Sequence, residues 1–198
     1  CKELSITLES ELLRKADEMA FSTLMTSGKR GFWVHPYPAA IDEKIENMGL
    51  IDFGVRINGY NSDVTVPFVK GSLTEKQKLI LRTVKEAYAR AVESLEIGAE
   101  SHEIFNAANN VITKNSFEFK HSLGHGIGLD VHEYPNLSPK PHDKTLLKKW
   151  KPTILKENMV FTIEPGVYEK FGGLRLENDF LMTRRGPIAL TKARVLEI

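Results

Sequence analysis

The chain has 198 residues, a formal net charge of +1 and 41% apolar residues. These values fit one folded domain and exclude disordered, collagen-like and membrane-embedded classes. Lys and Arg (27) balance Asp and Glu (26), so no overall charge attracts nucleic acid or an acidic membrane surface.

The single cysteine, Cys1, has no internal disulfide partner, which sets a reducing, cytoplasmic compartment as the expectation. No charged-then-apolar stretch resembling a leader opens the chain, and the apolar runs are too short for a bilayer. The first residue is not Met, so processing or loss of upstream residues is expected.

Apolar residues Leu12, Leu13, Ala16, Met19 and Ala20 fall at helical spacing and predict a helix over 7–25, stopped by Gly28. Residues 29–50 read as irregular, with Pro36 and Pro38 excluding regular helix. A strand over 50–57, the turn Asn58-Gly59 and a second strand over 60–69 predict a hairpin. Thr74-Glu75-Lys76-Gln77 reads as a capping box for a long helix. Its stripe is Ile80, Val84, Ala87, Tyr88, Ala91 and Leu95, with Gly98 as its stop. Ser101 is expected to cap another helix carrying Ile104, Ala108, Val111 and Ile112 on one face. From His121 onward short strands and loops are expected. Val160–Ile163 and a strand over 174–183 are the best candidates, joined through Gly172-Gly173. The blocks follow no βαβ rhythm, which predicts an α+β fold in one domain.

Two carboxylate pairs stand out on this framework. A two-residue turn at Asn58-Gly59 places Asp52 opposite Thr65, with Asp63 on the same face and within diagonal reach of about 7–8 Å. Glu164 and Glu177 lie nearly opposite each other if their loop centres on Lys170-Phe171, and facing glutamates repel unless something positive sits between them. Glu164 follows the apolar run Val160-Phe161-Thr162-Ile163, which argues for burial, and a buried carboxylate needs a partner or an ion. His125 lies among Gly124, Gly126 and Gly128, with His121 and His132 nearby. No helix pattern follows these glycines, so they make a poor dinucleotide-binding fingerprint. Taken singly, each carboxylate also fits a solvated strand face, and each histidine a satisfied core residue.

As a set, Asp52, Asp63, His125, Glu164 and Glu177 carry more negative charge than one divalent ion needs, which points to two. Carboxylates with one imidazole favour Mn2+, with Co2+, Zn2+ or Fe2+ as alternatives, and the lack of thiolates argues against structural zinc. Two bridged ions ~3.5–4 Å apart trap a water that ionises near neutral pH and serves as a hydroxide nucleophile. No Gly-x-Ser-x-Gly segment supports a serine nucleophile.

These motifs together resemble the pita-bread metallopeptidases (family M24) over about residues 7–196. The resemblance implies that Asp52 chelates one metal, that Asp63 and Glu177 bridge both, and that His125 and Glu164 hold the second, with Glu164 as general base. The segments Leu129-Asp130-Val131-His132-Glu133 and Arg175-Leu176-Glu177 are similar to the prolidase and Xaa-Pro aminopeptidase branch. That likeness implies a substrate site with His35, His132 and Arg175, and catalytic roles for His121 and His132 beside Glu164. It implies a peptide substrate with proline second, cleaved before the proline, and it is compatible with a homodimer.

Two departures from the branch are visible. Asp63-Val64-Thr65-Val66-Pro67 has Val66 where the branch has arginine, which is expected to alter support of the ligands or specificity. The first helix of the family's catalytic domain and its N-terminal domain are not matched, so residues 1–198 are expected to be an N-terminally truncated catalytic domain. The alternative function is a catalytically silent pita-bread module that binds protein or peptide. Retention of all five ligands argues against it.

Overall fold

A computed structural model describes all residues, 1–198. In chain order the elements are α1 (Lys2–Leu12), β1 (Glu18–Met19), β2 (Leu24–Ser27), a 3-10 turn (Gly28–Phe32), β3 (Met48–Phe53), β4 (Val55–Ile57), β5 (Tyr60–Asn61) and β6 (Val64–Val69). There follow α2 (Glu75–Glu93), α3 (Ser101–Lys114), β7 (His125–Gly126), β8 (Glu133–Asn136), α4 (Lys144–Lys149), β9 (Val160–Ile163), β10 (Gly166–Glu169) and β11 (Gly172–Arg175). The chain closes with β12 (Asn178–Thr183), β13 (Gly186–Ala189) and β14 (Leu196–Glu197). The expected α+β class holds.

The hairpin register is the one expected from its turn. Asn58 and Gly59 take φ of 51° and 84°, the positive pair that a type I′ turn requires. Ile57 then faces Tyr60, Arg56 faces Asn61, and Asp52 faces Thr65. The second hairpin turns at Lys170-Phe171, with Glu169 facing Gly172 and Gly166 facing Arg175. Beyond it Ile163 faces Asn178, so Glu164 and Glu177 sit between two ladders in one continuous register.

Neither long strand is unbroken. The strand expected over 60–69 is interrupted at Ser62-Asp63, and the one expected over 174–183 at Leu176-Glu177. The breaks coincide with candidate ligands, whose amides leave the ladder for partners on other elements. Asp63 N donates to Asp179 Oδ2 at 3.2 Å, Glu164 N to Leu123 O at 2.8 Å, and Glu177 N to Thr65 O at 3.1 Å. Each buried amide stays paired, as it must, and each bond ties one part of the site to another.

Helices α2 and α3 supply Ile80, Val84, Ala87, Ile104, Ala108 and Ile112 to the main core. Phe161 and Ile163 of β9 and Phe180 and Met182 of β12 join that core. Strand alternation therefore sends Thr162 and Asp179 to the other face. The capping box at α2 is present, with Thr74 and Gln77 bonding reciprocally.

Several boundaries differ from expectation. The first helix ends at Leu12 instead of continuing to Met25. Residues 18–19 pair with β4, Asp17 N and Ala20 N donate to Arg56 O and Gly54 O, and Leu24–Ser27 forms a fully buried strand against β3. Pairing with a sheet overrides the local helical spacing. Gly28 is consequently no helix stop; at φ 56° it opens the 3-10 turn that interrupts the irregular 29–50 region. Helix α2 ends at Glu93, ahead of Gly98, and α3 is capped at Glu100 with Ser101 as its first residue. The exposed helix α4 lies in a region expected to hold only strands and loops.

Candidate metal centre

Five elements deliver the five expected ligands to the wall of one cavity of about 880 Å³. Asp52 comes from β3, Asp63 from the break before β6, His125 from β7, Glu164 from the break after β9 and Glu177 from the break before β12. His35, His121, His132 and Arg175 line the same cavity. Ligand atoms of Asp63, His125 and Glu177 all lie within 4.8 Å of one another. His125 Nε2 is 3.7 Å from Asp63 Oδ2 and 3.6 Å from Glu164 Oε1.

The tautomer of His125 suits ligation. Its Nδ1 lies 3.0 Å from the Gly126 carbonyl oxygen, a contact that is a hydrogen bond only if Nδ1 carries the proton. The Nε2 lone pair is then directed at Asp63 and Glu164. Burial, opposed by that carbonyl, pushes the His125 pKa down to about 4. His121 is pushed down to about 3 by burial and then by the Arg175 charge. His35 is lowered by the same two causes in the same order.

The carboxylates shift the opposite way. Burial and then the charges of Asp52 and Glu164 hold Asp63 well above the ordinary carboxylate range. Glu177 is held well above it by burial and then by Asp63, Glu164 and Asp52. Burial raises Glu164 to about 7 against the opposing pull of Arg175. Asp179 is raised to about 7 by burial, partly offset by the bond from the Asp63 amide.

One guanidinium answers this negative charge directly. Arg175 is 1% exposed. It donates through Nη2 to Asp52 Oδ2, through Nε to Thr65 Oγ1 at 2.9 Å and through Nη1 to the Tyr168 hydroxyl at 2.9 Å. Thr65 passes the connection on, donating to Glu177 Oε2 at 2.6 Å. Asp52 Oδ1 and Asp63 Oδ1 remain buried without hydrogen-bond partners. Orphaned carboxylate oxygens, raised carboxylate pKa values and a free imidazole nitrogen together fit a donor set for divalent cations.

Sequence reasoning missed three residues here. Thr65 was legible only as the partner opposite Asp52, yet it joins Arg175 to Glu177. Tyr168 is fully buried and its hydroxyl meets both Arg175 Nη1 and His121 Nε2, the latter at 3.0 Å. No local pattern marks it beyond the strand Gly166–Glu169. Asp179 reads as a strand residue, and its hold on the Asp63 amide spans 116 positions. Val66, the departure at the arginine position, faces Ile51 in the ladder and points to the opposite side of β6 from Thr65.

The cavity wall beyond the charged groups includes Phe21, Leu24, Ala39 and Val131. His132 packs over His125, with ring centroids 4.2 Å apart. His121 Nδ1 is 2.8 Å from Ser122 O and 3.7 Å from Glu164 Oε2. The site thus joins a polar floor to a partly apolar wall.

The profile of metallopeptidase family M24 matches residues 2–184. The Xaa-Pro dipeptidase of Pyrococcus horikoshii is 41% identical over 199 residues, which covers 96% of this chain and 53% of that protein. The Xaa-Pro dipeptidase of Pyrococcus furiosus is 40% identical over 199 residues, covering 96% of this chain and 54% of that protein. Among solved structures, the prolidase from Pyrococcus furiosus superposes with a TM-score of 0.85 at 39% identity, covering 98% of this chain and 56% of that one. The X-Pro aminopeptidase from Thermotoga maritima superposes with a TM-score of 0.84 at 31% identity, covering 100% and 55%. The chain spans about half the length of the curated relatives it matches.

Proposed function

Because the chain belongs to metallopeptidase family M24, we propose that it hydrolyses the peptide bond preceding proline, as an Xaa-Pro dipeptidase or aminopeptidase with two divalent ions. Its α+β fold is the pita-bread fold expected from the sequence. The observation that carries the reading is the convergence of Asp63, His125 and Glu177, with Glu164 beside them and the His125 Nε2 lone pair directed inward.

Asp52, Asp63, His125, Glu164 and Glu177 would hold the ions, Mn2+ being the first choice for so carboxylate-rich a set. Bound there, divalent metal supplies Lewis acidity that activates water and polarises the scissile carbonyl. The protein's own groups do the rest. Glu164 accepts the proton of the attacking water and returns it to the leaving proline nitrogen. His132 flanks the reacting carbonyl as a hydrogen-bond donor. His121, with both ring nitrogens engaged by Ser122 and Tyr168, stands beside Glu164, and His35 contacts the substrate from the cavity wall. Arg175 acts through Asp52 and Thr65 as a positioning residue. Phe21, Leu24, Ala39 and Val131 supply the apolar surface a proline ring requires.

Assays of the metal-reconstituted chain on Xaa-Pro dipeptides, on longer peptides with proline second and on Xaa-Ala controls test this reading. Proline release from the dipeptide supports dipeptidase activity, and cleavage of the longer peptides alone assigns the aminopeptidase. Equal cleavage of the Xaa-Ala controls, or cleavage of none, overturns the proposal.

A further inference from the structure

We infer that Asn61 and Arg56 are positioning residues that clamp the Gly128-Leu129 segment, and with it His132, onto the hairpin that carries Asp63. The type I′ turn places Arg56 and Asn61 directly opposite each other, so their side chains share a face. From that face they converge on two consecutive carbonyls of the loop between His125 and His132.

The bonding is dense. Asn61 N donates to Gly128 O at 2.8 Å, and Asn61 Nδ2 donates to Gly128 O at 3.0 Å and to Leu129 O at 2.9 Å. Arg56 Nη2 donates to Leu129 O at 3.1 Å. Arg56 Nε donates to Asn61 Oδ1 at 3.2 Å, which orients the amide so that its two protons point into the loop. Arg56 Nη1 is held in turn by Glu18 Oε1 at 2.9 Å. Every nitrogen and oxygen of both polar head groups is therefore engaged.

The loop needs such an anchor. Its internal bonds are local: Gly128 N to Asp130 O at 3.1 Å and Asp130 N to Glu133 Oε2 at 3.4 Å. Leu129 is exposed and supplies no buried apolar anchor there. At its start the loop is fixed by Ile127 N donating to Val160 O at 3.2 Å. At its end Val131, His132 and Glu133 form one wall of the cavity. Neither Asn61 nor Arg56 lines that cavity, so their influence on a substrate passes through the loop. Asn61 stands two residues before Asp63, and the clamp thus sets the spacing between an aspartate ligand and the His132 wall.

The functional half of this inference rests on the peptidase reading; the structural half rests on the bonds alone. The test is amide hydrogen exchange over residues 127–133 in the metal-loaded chain, with steady-state kinetics on an Xaa-Pro dipeptide, for wild type, Asn61→Ala and Asn61→Asp. The aspartate keeps the shape and the bond from Arg56 but replaces the two donated protons with an acceptor, so it decides the matter if the alanine variant does not fold. Loss of two neutral hydrogen bonds predicts exchange about tenfold faster in this loop, without change in β9. Metal content stays at the wild-type value, KM rises about tenfold and kcat stays within about threefold. Unchanged loop exchange in Asn61→Asp overturns the clamp. Faster exchange with unchanged KM assigns the bonds to fold stability and overturns the positioning role. If the wild-type chain has no peptidase activity, the proposed function fails and the exchange result alone decides the clamp.

Discussion

Thr65 donates its hydroxyl proton to Glu177 Oε2 at 2.6 Å, across 112 positions of sequence. Thr65 Oγ1 in turn accepts from Arg175 Nε, so one fully buried hydroxyl orients a candidate ligand and takes one of the three bonds of the buried Arg175. Thr65→Val keeps the volume and removes both bonds. Leaving these charged partners short of a bond predicts a stability loss of about 1–3 kcal/mol and metal affinity about 10–100-fold weaker. Isothermal titration with Mn2+ checks the second figure; wild-type affinity in the valine variant would remove Thr65 from the supporting network.

Tyr168 accepts from Arg175 Nη1 and sits 3.0 Å from His121 Nε2. Because His121 Nδ1 faces the Ser122 carbonyl, the Tyr168 proton is the one available to Nε2, and the phenol fixes the His121 tautomer. Burial, partly countered by Arg175, raises the Tyr168 pKa to about 12, so it stays a donor throughout the working range. Tyr168→Phe is expected to fold, with a cost of about 1–3 kcal/mol for the unpaired Arg175 proton, and to lower kcat. A kcat equal to wild type would dissociate His121 orientation from turnover.

Stability of the metal-free chain is expected to fall between pH 6.5 and pH 8. Asp63, Glu164, Glu177 and Asp179 all have folded pKa values above their ordinary ones, with Glu164 and Asp179 at about 7. In that window the folded state holds protons that the unfolded state has already released, so rising pH favours unfolding. The lowered histidines, His35, His121 and His125, act in the opposite sense, mainly below about 6.5 and fading over about one pH unit above it as the unfolded imidazoles lose their protons. Each titrating carboxylate contributes up to about 1.4 kcal/mol per pH unit. Denaturant midpoints at pH 6.5 and 8 after chelation measure the trend; midpoints that rise with pH would reverse the sign assigned to the cluster.

Glu164→Gln separates the chemical role of this residue from its electrostatic one. Removing one of the mutually repelling carboxylates is expected to raise the thermal midpoint of the metal-free chain at pH 8 while abolishing hydrolysis. A variant that keeps wild-type turnover would exclude Glu164 as the proton acceptor.

The parts of this molecule that were legible in the sequence are those set by local chemistry. Asn58-Gly59 specifies a turn type, the turn specifies the register, and the register puts Asp52 opposite Thr65. Thr74 and Gln77 likewise write the start of α2. The misread helix over 7–25 shows the limit: Leu24 and Met25 are buried in β2 because β3 lies beside them, and that partner is some 25 residues away. The breaks at Ser62-Asp63 and Leu176-Glu177 were invisible for the same reason. Each is held open by a bond to a distant element, Asp179 in one case and Thr65 in the other.

The central claim is a two-metal site that cleaves before proline. Its most direct test is proline release from an Xaa-Pro dipeptide by the chain stripped of metal and then reloaded with Mn2+, with bound metal counted in the same samples. The expected result is no release from the stripped chain, recovery as occupancy reaches two ions per chain, and no recovery in Glu164→Gln. Full activity in the stripped chain, or two bound ions without proline release, would contradict the account.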